Sequence, residues 1–285
     1  MIYNVSGSSV DGAYNVDGIP TDAYDIDGDI IFVEWDSEIT VEKVFDTASS
    51  TNYYKIRIPQ IRADGSKQYP FLYAPNGTGQ ATQSTLSMNR EIGFYLAINA
   101  GIGGTYTVEQ GVLPIGCLIE NSVLLQQGSS EFYILTIDDN GTLDYAEPNT
   151  NGETLVANGV ISALVGFVPI IVDGEAVDPS VYEPMPHEEQ HAQRQIIGQY
   201  SNGDYAIVTC EGRNYDSSTG WTIPEAITVC LSLGLEFAYN LDGGGSTETV
   251  IGDEQINTIY EGATGRKVQN YIVFNGTDVF GVPTD

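Results

Sequence analysis

An apolar run, Leu235-Glu236-Phe237-Ala238-Tyr239-Asn240-Leu241, stops at Asp242 and is followed by three glycines, Gly243, Gly244 and Gly245, and then Ser246. The pattern reads as a buried strand that ends in an open loop with a carboxylate at its start. Consecutive glycines permit positive φ and close approach of backbone to a ligand. Their N–H groups can form a concave anion site, while a plain flexible turn is the bland alternative. No Lys follows the last glycine, so the loop is not a nucleotide-binding P-loop.

The preceding segment sharpens this reading. Thr222 and Glu225 have capping-box spacing, with Pro224 in the first turn. Ile223, Ile227, Cys230, Leu231 and Leu233 predict a mostly buried helix that ends at Gly234. Another strand-like run, Tyr205–Thr209, leads into Cys210-Glu211-Gly212-Arg213. Two neighbouring strands ending in polar loops are a geometry in which sites are built.

Four pieces of the chain, in order, resemble the phosphodiester glycosidase family related to the lysosomal uncovering enzyme, which removes N-acetylglucosamine from a phosphodiester on mannose. They are Ala97-Ile98-Asn99-Ala100-Gly101, Arg194-Gln195-Ile196-Ile197-Gly198, Glu211-Gly212-Arg213 and Asn240-Leu241-Asp242-Gly243-Gly244-Gly245-Ser246. A weaker fifth piece is Arg266-Lys267-Val268-Gln269-Asn270. The chain departs from the family pattern at Gln195, where Thr is usual, and at Ile102-Gly103-Gly104, where aromatics are usual. Both departures bear on substrate choice more than on fold.

The resemblance implies cleavage of a sugar C1–oxygen bond whose oxygen belongs to a phosphodiester. Asp242 is the candidate nucleophile or base at the sugar carbon. Arg194 and Arg213 are the candidate phosphate ligands, supplemented by the N–H groups of Gly243, Gly244 and Gly245. Asn99, Gly101, His191, Asn240, Ser246 and Arg266 complete the expected substrate-binding set. No metal and no cofactor are expected. The expected substrate is a sugar phosphate or glycopolymer of N-acetylglucosamine type, from cell wall or capsule. The alternative is a carbohydrate-binding or structural phage-tail module that keeps the fold without turnover.

Charge narrows the partners. The formal net charge is −29, which repels nucleic acid and anionic membrane surfaces, so neither is an expected partner. It also means that an anion site must be locally basic. Six of the ten Lys and Arg residues lie in residues 43–90, none lies between 91 and 193, and the last four are Arg194, Arg213, Arg266 and Lys267. Each Arg has the bland alternative of pairing with one of the many acids.

His187-Glu188-Glu189-Gln190-His191 matches the zinc-protease pattern His-Glu-x-x-His. That motif needs a well-formed helix and a third ligand. Pro184 and Pro186 stand directly before it, and the chain has no other His, so zinc is not expected. His191, close to Arg194, is instead a candidate proton carrier or sugar contact, against the alternative of a surface His. Gly245-Ser246 does not form a nucleophile elbow. Trp221 is expected in the core rather than on a sugar.

Organisation follows from turns and repeats. Tyr3-Asn4-Val5-Ser6-Gly7, Tyr14-Asn15-Val16-Asp17-Gly18 and Tyr24-Asp25-Ile26-Asp27-Gly28 repeat one short strand-and-turn pattern. Such a segment has no core of its own, so residues 1–40 are expected to attach the chain to a second copy or to phage tail proteins. Residues 41–285 are expected to form the glycosidase-like domain. Strands are predicted at Tyr53–Ile58, Phe94–Ile98, Leu118–Leu125, Phe132–Ile137, Ala163–Val172 and Ile272–Phe274, and a helix over Thr85–Ile92 capped by Thr85 or Ser87. Asn140-Gly141 and Asp173-Gly174 read as hairpin turns. The expected class is α+β, a mostly antiparallel mixed sheet core with a few helices and the short N-terminal β-repeat. Three Cys, odd in number and without metal-pair spacing, and no visible signal peptide fit synthesis in the bacterial cytoplasm, and the N-terminal openings resemble tail-associated phage proteins, hence an expected place in the virion.

Overall fold

The computed structural model describes residues 10–14, 20–23, 30–33, 39–81, 83–104, 113–185, 187–214, 217–258 and 265–275. Most of the N-terminal repeat lies outside these residues. Among them, every strand pairing is antiparallel. The described residues also hold three α-helices and three short 3-10 turns. The fold is α+β, as expected.

One eight-stranded sheet organises the molecule. Its order is Glu175–Ala176, Val168–Val172, Phe237–Asn240, Gln195–Gln199, Tyr205–Cys210, Thr51–Ile58, Thr40–Asp46 and Ile30–Val33. Its central strands read as unbroken apolar runs because both faces are covered. Side chains alternate across a strand, and Ile197 and Ile207 enter one core while Ile196 and Val208 enter the other. The first core is shared with two five-stranded sheets, through Leu135 and Leu164 of one and Leu96, Ile98 and Ile272 of the other. The second is closed by the helix Ile223–Ser232 and the fully buried Trp221. Trp221 packs on Tyr53 with ring centroids 5.0 Å apart and donates its indole N–H to Ser49 Oγ at 2.9 Å. Burying an isoleucine of this kind stabilises by about 1.5–3 kcal/mol.

The helix Ile223–Ser232 carries the expected capping box. Thr222 accepts from the Glu225 N–H, and the Glu225 carboxylate accepts from the Thr222 N–H at 2.8 Å. Gly234 follows at φ +74°, the left-handed conformation that ends helices at glycine. The helix Thr85–Ile92 is capped instead by Ser84, one residue before the expected position. A carboxylate from far along the chain, Glu248, also accepts from the N–H groups of Thr85 and Leu86, at 2.7 and 3.2 Å.

Two predicted strands are each divided. Leu118–Leu125 is a hairpin, Leu118–Glu120 with Val123–Gln126, turning at Asn121 and Ser122 with φ of 52° and 60°. No glycine marked that turn. Ala163–Val172 comprises Val160–Leu164 of one sheet and Val168–Val172 of another. The change of sheet falls at Gly166, where a Cβ would meet the Tyr239 ring at 2.7 Å and the Leu241 Cα at 3.2 Å.

Candidate active site

Topology brings the site together. Gln195–Gln199 lies between Tyr205–Cys210 and Phe237–Asn240, antiparallel to both. The start of the middle strand therefore shares an edge with the ends of its two neighbours. Arg194, Glu211 and Leu241 meet there. The two strands expected to be neighbours are separated by this third one. From the adjoining sheet, Leu96–Asn99 delivers Asn99 to the same place.

Asn99 is fully buried and clamps the loop after Asp242. Its Nδ2 donates to the Asp242 carbonyl at 2.7 Å, and its Oδ1 accepts from the Glu248 N–H at 3.0 Å. The Asp242 N–H donates to the Ala100 carbonyl at 2.9 Å. Gly101 is held by the Asn270 side chain, whose Oδ1 accepts from its N–H at 2.7 Å. A Cβ at Gly101 would lie 2.8 Å from that oxygen, which explains glycine here. Both residues hold the loop's underside, and Asn99 has committed its amide to backbone groups.

The glycines are packed, not open. Gly244–Ser246 forms a 3-10 turn. The Gly243 N–H donates to Asp242 Oδ1 at 3.0 Å, and the Gly244 N–H to the Gln193 carbonyl at 2.8 Å. Two of the three N–H groups expected to cradle phosphate are thus used inside the protein. A Cβ at Gly243 would lie 2.8 Å from the Gln193 carbonyl oxygen. One at Gly244 would lie 2.8 Å from Arg213 Nη2, so the exposed Arg213 lies directly over this glycine.

Arg194 stands apart from the role expected of it. It is buried, and its Nε donates to the Trp221 carbonyl at 2.8 Å while Nη2 donates to the His187 and Gln190 carbonyls at 3.0 and 2.7 Å. A guanidinium so engaged fastens the 187–190 turn to the sheet edge. That segment is a turn rather than a helix, with His187 at φ +70°. The two histidines are therefore not stacked on a helix face. His191 is exposed and pairs with Glu225, Nε2 to Oε2 at 3.2 Å. Asn240 is buried, with Nδ2 donating to the Leu241 carbonyl at 3.1 Å. Gln195, one of the family departures, closes a buried ring with Thr209 and Thr249.

Asp242, Ser246 and Arg266 face a cleft of about 540 Å³, within the range of about 300–1,000 Å³ usual for small-ligand sites. Ile102, Gly103, Ile115, Phe132, Phe167, Lys267 and Gln269 complete its lining. Asp242 keeps some surface open to the cleft, while its carboxyl is packed round by protein. Burial pushes this carboxyl up to about 6 from the ordinary 3.8, against the opposing pull of the Ser246 hydroxyl, Arg266 and the Gly243 N–H. Arg266 Nη1 donates to Ser246 Oγ at 3.4 Å, so Ser246 links the carboxylate to the cation. Among the described lining residues Asp242 is the one carboxylate, and Arg266 and Lys267 are the two cations. A second concavity, of about 420 Å³, opens at the far end of the same strands. Asp144, Asp173 and Glu236 line it, and such a wall repels a phosphate.

Of the expected site residues, the structure places Asp242, Ser246 and Arg266 in the cleft. Asn99, Gly101, Asn240, Gly243 and Arg194 are engaged in hydrogen bonds within the protein and do not line the cleft, and Arg213 overlies Gly244. Lys267, Gln269, Ile115, Phe132 and Phe167 were not singled out as site residues. Lys267 had a signal, since it directly follows Arg266 in the last family-like piece. The two phenylalanines sit in runs that read as core strands.

The profile of the phosphodiester glycosidase family matches residues 93–275, more than half of the chain. The chain belongs to this family. Among curated proteins it is 30% identical, over 125 residues, to the SPbeta prophage-derived uncharacterized protein YomE of Bacillus subtilis (strain 168). That match covers 44% of this chain and 19% of the relative, so the chain spans about a fifth of that relative's length. Among solved structures it resembles the zebrafish N-acetylglucosamine-1-phosphodiester alpha-N-acetylglucosaminidase catalytic domain auto-inhibited by its pro-peptide. There the TM-score is 0.64, with 14% identity over 84% of this chain and 82% of that one. A hypothetical protein from Synechocystis gives a TM-score of 0.66, with 15% identity over 83% of this chain and 62% of that one. The family match covers every element that builds the cleft.

Proposed function

We propose that this phosphodiester glycosidase family member hydrolyses the C1–oxygen bond of a sugar-1-phosphodiester in the cleft around Asp242. One observation carries the reading: the described cleft lining holds a single carboxylate and two cations. Ordinary glycosidases need two carboxyl groups, one of them to protonate a poor leaving group. A phosphate monoester leaves as an anion and needs cations rather than a proton donor. In the reaction the C1–oxygen bond breaks and its electron pair stays with the phosphate oxygen, beside Arg266 and Lys267. The oxygen of a water molecule ends on C1. Asp242, ionised above about pH 6, supplies negative charge to the oxocarbenium-like carbon, as a base toward that water or as a nucleophile. Ser246 orients the carboxylate and couples it to Arg266.

The substrate class proposed is an N-acetylglucosamine-type phosphodiester of cell wall or capsule, and the setting is a phage tail. The prophage origin of the YomE relative and the N-terminal tyrosine-glycine repeat support that setting. In that setting residues 1–28 attach the chain to a second copy or to tail proteins. A deletion of residues 1–28 that leaves the sedimentation of the protein unchanged would remove the self-association part of this proposal.

The test is release of sugar from a nucleotide-linked N-acetylglucosamine by wild type, Asp242→Asn and Arg266→Ala. Turnover in wild type that falls about a thousandfold in Asp242→Asn supports the assignment. Sugar binding without turnover across a panel of sugar phosphodiesters would make the chain a carbohydrate-binding tail module.

A further inference from the structure

We infer that Phe132 and Phe167 form the platform on which the sugar ring sits, and that this platform decides which substrates the cleft accepts. The inference rests on the catalytic reading of the same cleft. Its lining divides by chemistry. Arg266, Lys267 and Gln269 come from one segment; Ile102, Ile115, Phe132 and Phe167 supply the apolar side from the loops that lead into or out of strands. The phenylalanines meet edge to face, with ring centroids 5.2 Å apart and planes at 76°. Both are half-buried, and both line the cleft.

Their backbone is fixed relative to Asp242. The Phe167 N–H donates to the Asn240 carbonyl at 3.1 Å, and the Tyr133 N–H donates to the Phe167 carbonyl at 3.1 Å. Gly166 packs against Tyr239 and Leu241, where a Cβ would lie 2.7 Å from the Tyr239 ring and 3.2 Å from the Leu241 Cα. Phe167 is therefore held against the two residues that precede Asp242. A ligand group in reach of both Asp242 and Phe167 must contain the reacting carbon, and that group is the sugar. The far side of the phosphodiester extends past the cations instead. A pyranose presents one face of C–H groups, which an aromatic ring accepts, while its hydroxyls stay available for polar contacts. Phosphate alone would have no use for this apolar side.

Phe167 also packs in the core beside Phe132, so the test uses volume-conserving variants. Phe167→Leu removes the flat ring and Phe167→Tyr keeps it. Calorimetry would measure binding of free N-acetylglucosamine, glucose, uridine monophosphate and inorganic phosphate, with circular dichroism confirming the fold. Expected is a loss of about tenfold in sugar affinity for Phe167→Leu, near wild-type affinity for Phe167→Tyr, and unchanged phosphate affinity. The KM for the nucleotide-linked sugar should rise by a similar factor, with kcat changed less. Unchanged sugar affinity in Phe167→Leu would overturn the inference. So would a loss confined to uridine monophosphate, which would assign the apolar side to the leaving group. Wild type that binds sugar through Phe167 yet turns nothing over would support the platform and end the hydrolase reading. Turnover with a KM indifferent to Phe167 would do the reverse.

Discussion

Replacing Asp242 by Asn separates what the carboxyl costs the fold from the catalytic role proposed for it. In the folded protein burial raises the carboxyl to about 6 from 3.8. Between those values the folded state holds a proton that the unfolded chain has released. Stability therefore falls as pH rises through this window and stays lowered above it. A displacement of roughly two pH units, at about 1.36 kcal/mol each, makes ionised Asp242 cost the fold about 3 kcal/mol near neutrality and little below pH 4. Asn keeps the acceptor for the Gly243 N–H and can donate to Ser246, so the exchange removes charge with little change of shape. Asp242→Asn should then be more stable than wild type by about 2–3 kcal/mol at neutral pH. The gain should shrink toward zero near pH 4. Urea unfolding followed by circular dichroism at both pH values gives the difference directly, and the other carboxylates cancel in the comparison. A stabilisation independent of pH, or a destabilisation at neutral pH, would refute the argument. The same ionisation should give kcat/KM an acid limb near pH 6, with activity rising as pH rises through it.

The other residues separate by role. Arg266→Ala should raise KM by about tenfold or more, through loss of a charge-assisted contact to phosphate, and should lower the unfolding midpoint slightly at neutral pH, because Arg266 offsets the burial of the ionised Asp242 carboxylate. Arg194→Ala should instead destabilise by on the order of 3 kcal/mol or more, because the Trp221, His187 and Gln190 carbonyls lose their donor. Arg194→Lys should recover only part, since an ammonium lacks the planar fork; unfolding measurements on both variants check this. Gly101→Ala should cost about 1–3 kcal/mol, because its Cβ collides with Asn270, and thermal unfolding would reveal it. His191→Ala should change stability by about 1 kcal/mol or less and leave kcat unaltered, because the residue is exposed and lies outside the described cleft lining.

Much of the fold could be read from local signals. The capping box at Thr222 and Glu225, the stop at Gly234 and the Asp173-Gly174 hairpin are set by residues within a few positions of one another. The antiparallel α+β class followed from many short apolar runs and few helices. The hairpin at Asn121 and Ser122 was hidden because both residues take positive φ without a glycine. The break at Gly166 was hidden because the reason for it, close approach to Tyr239 and Leu241, comes from another strand.

The site divides in the same way. Asp242 was legible because a carboxylate between an apolar strand and a glycine run has few structural duties. Ser246 and Arg266 followed from the family-like motifs. The position of Arg194 in such a motif could not reveal that its partners are main-chain carbonyls brought in by a turn. Gly243 and Gly244 read as open N–H donors, yet Asp242 and the Gln193 carbonyl already take them. Phe132 and Phe167 were invisible as cleft residues, because an aromatic in an apolar run carries the same sequence signal whether it faces the core or a ligand.

The proposed hydrolysis breaks the bond to the sugar carbon rather than the bond to phosphorus. Hydrolysis of a nucleotide-linked N-acetylglucosamine in water enriched in the heavy oxygen isotope tests it directly, with mass spectrometry of both products. The label is expected on the C1 hydroxyl of the released sugar and not on the phosphate, with the reaction nearly abolished in Asp242→Asn. Label on the phosphate, or equal rates in wild type and Asp242→Asn, would contradict it.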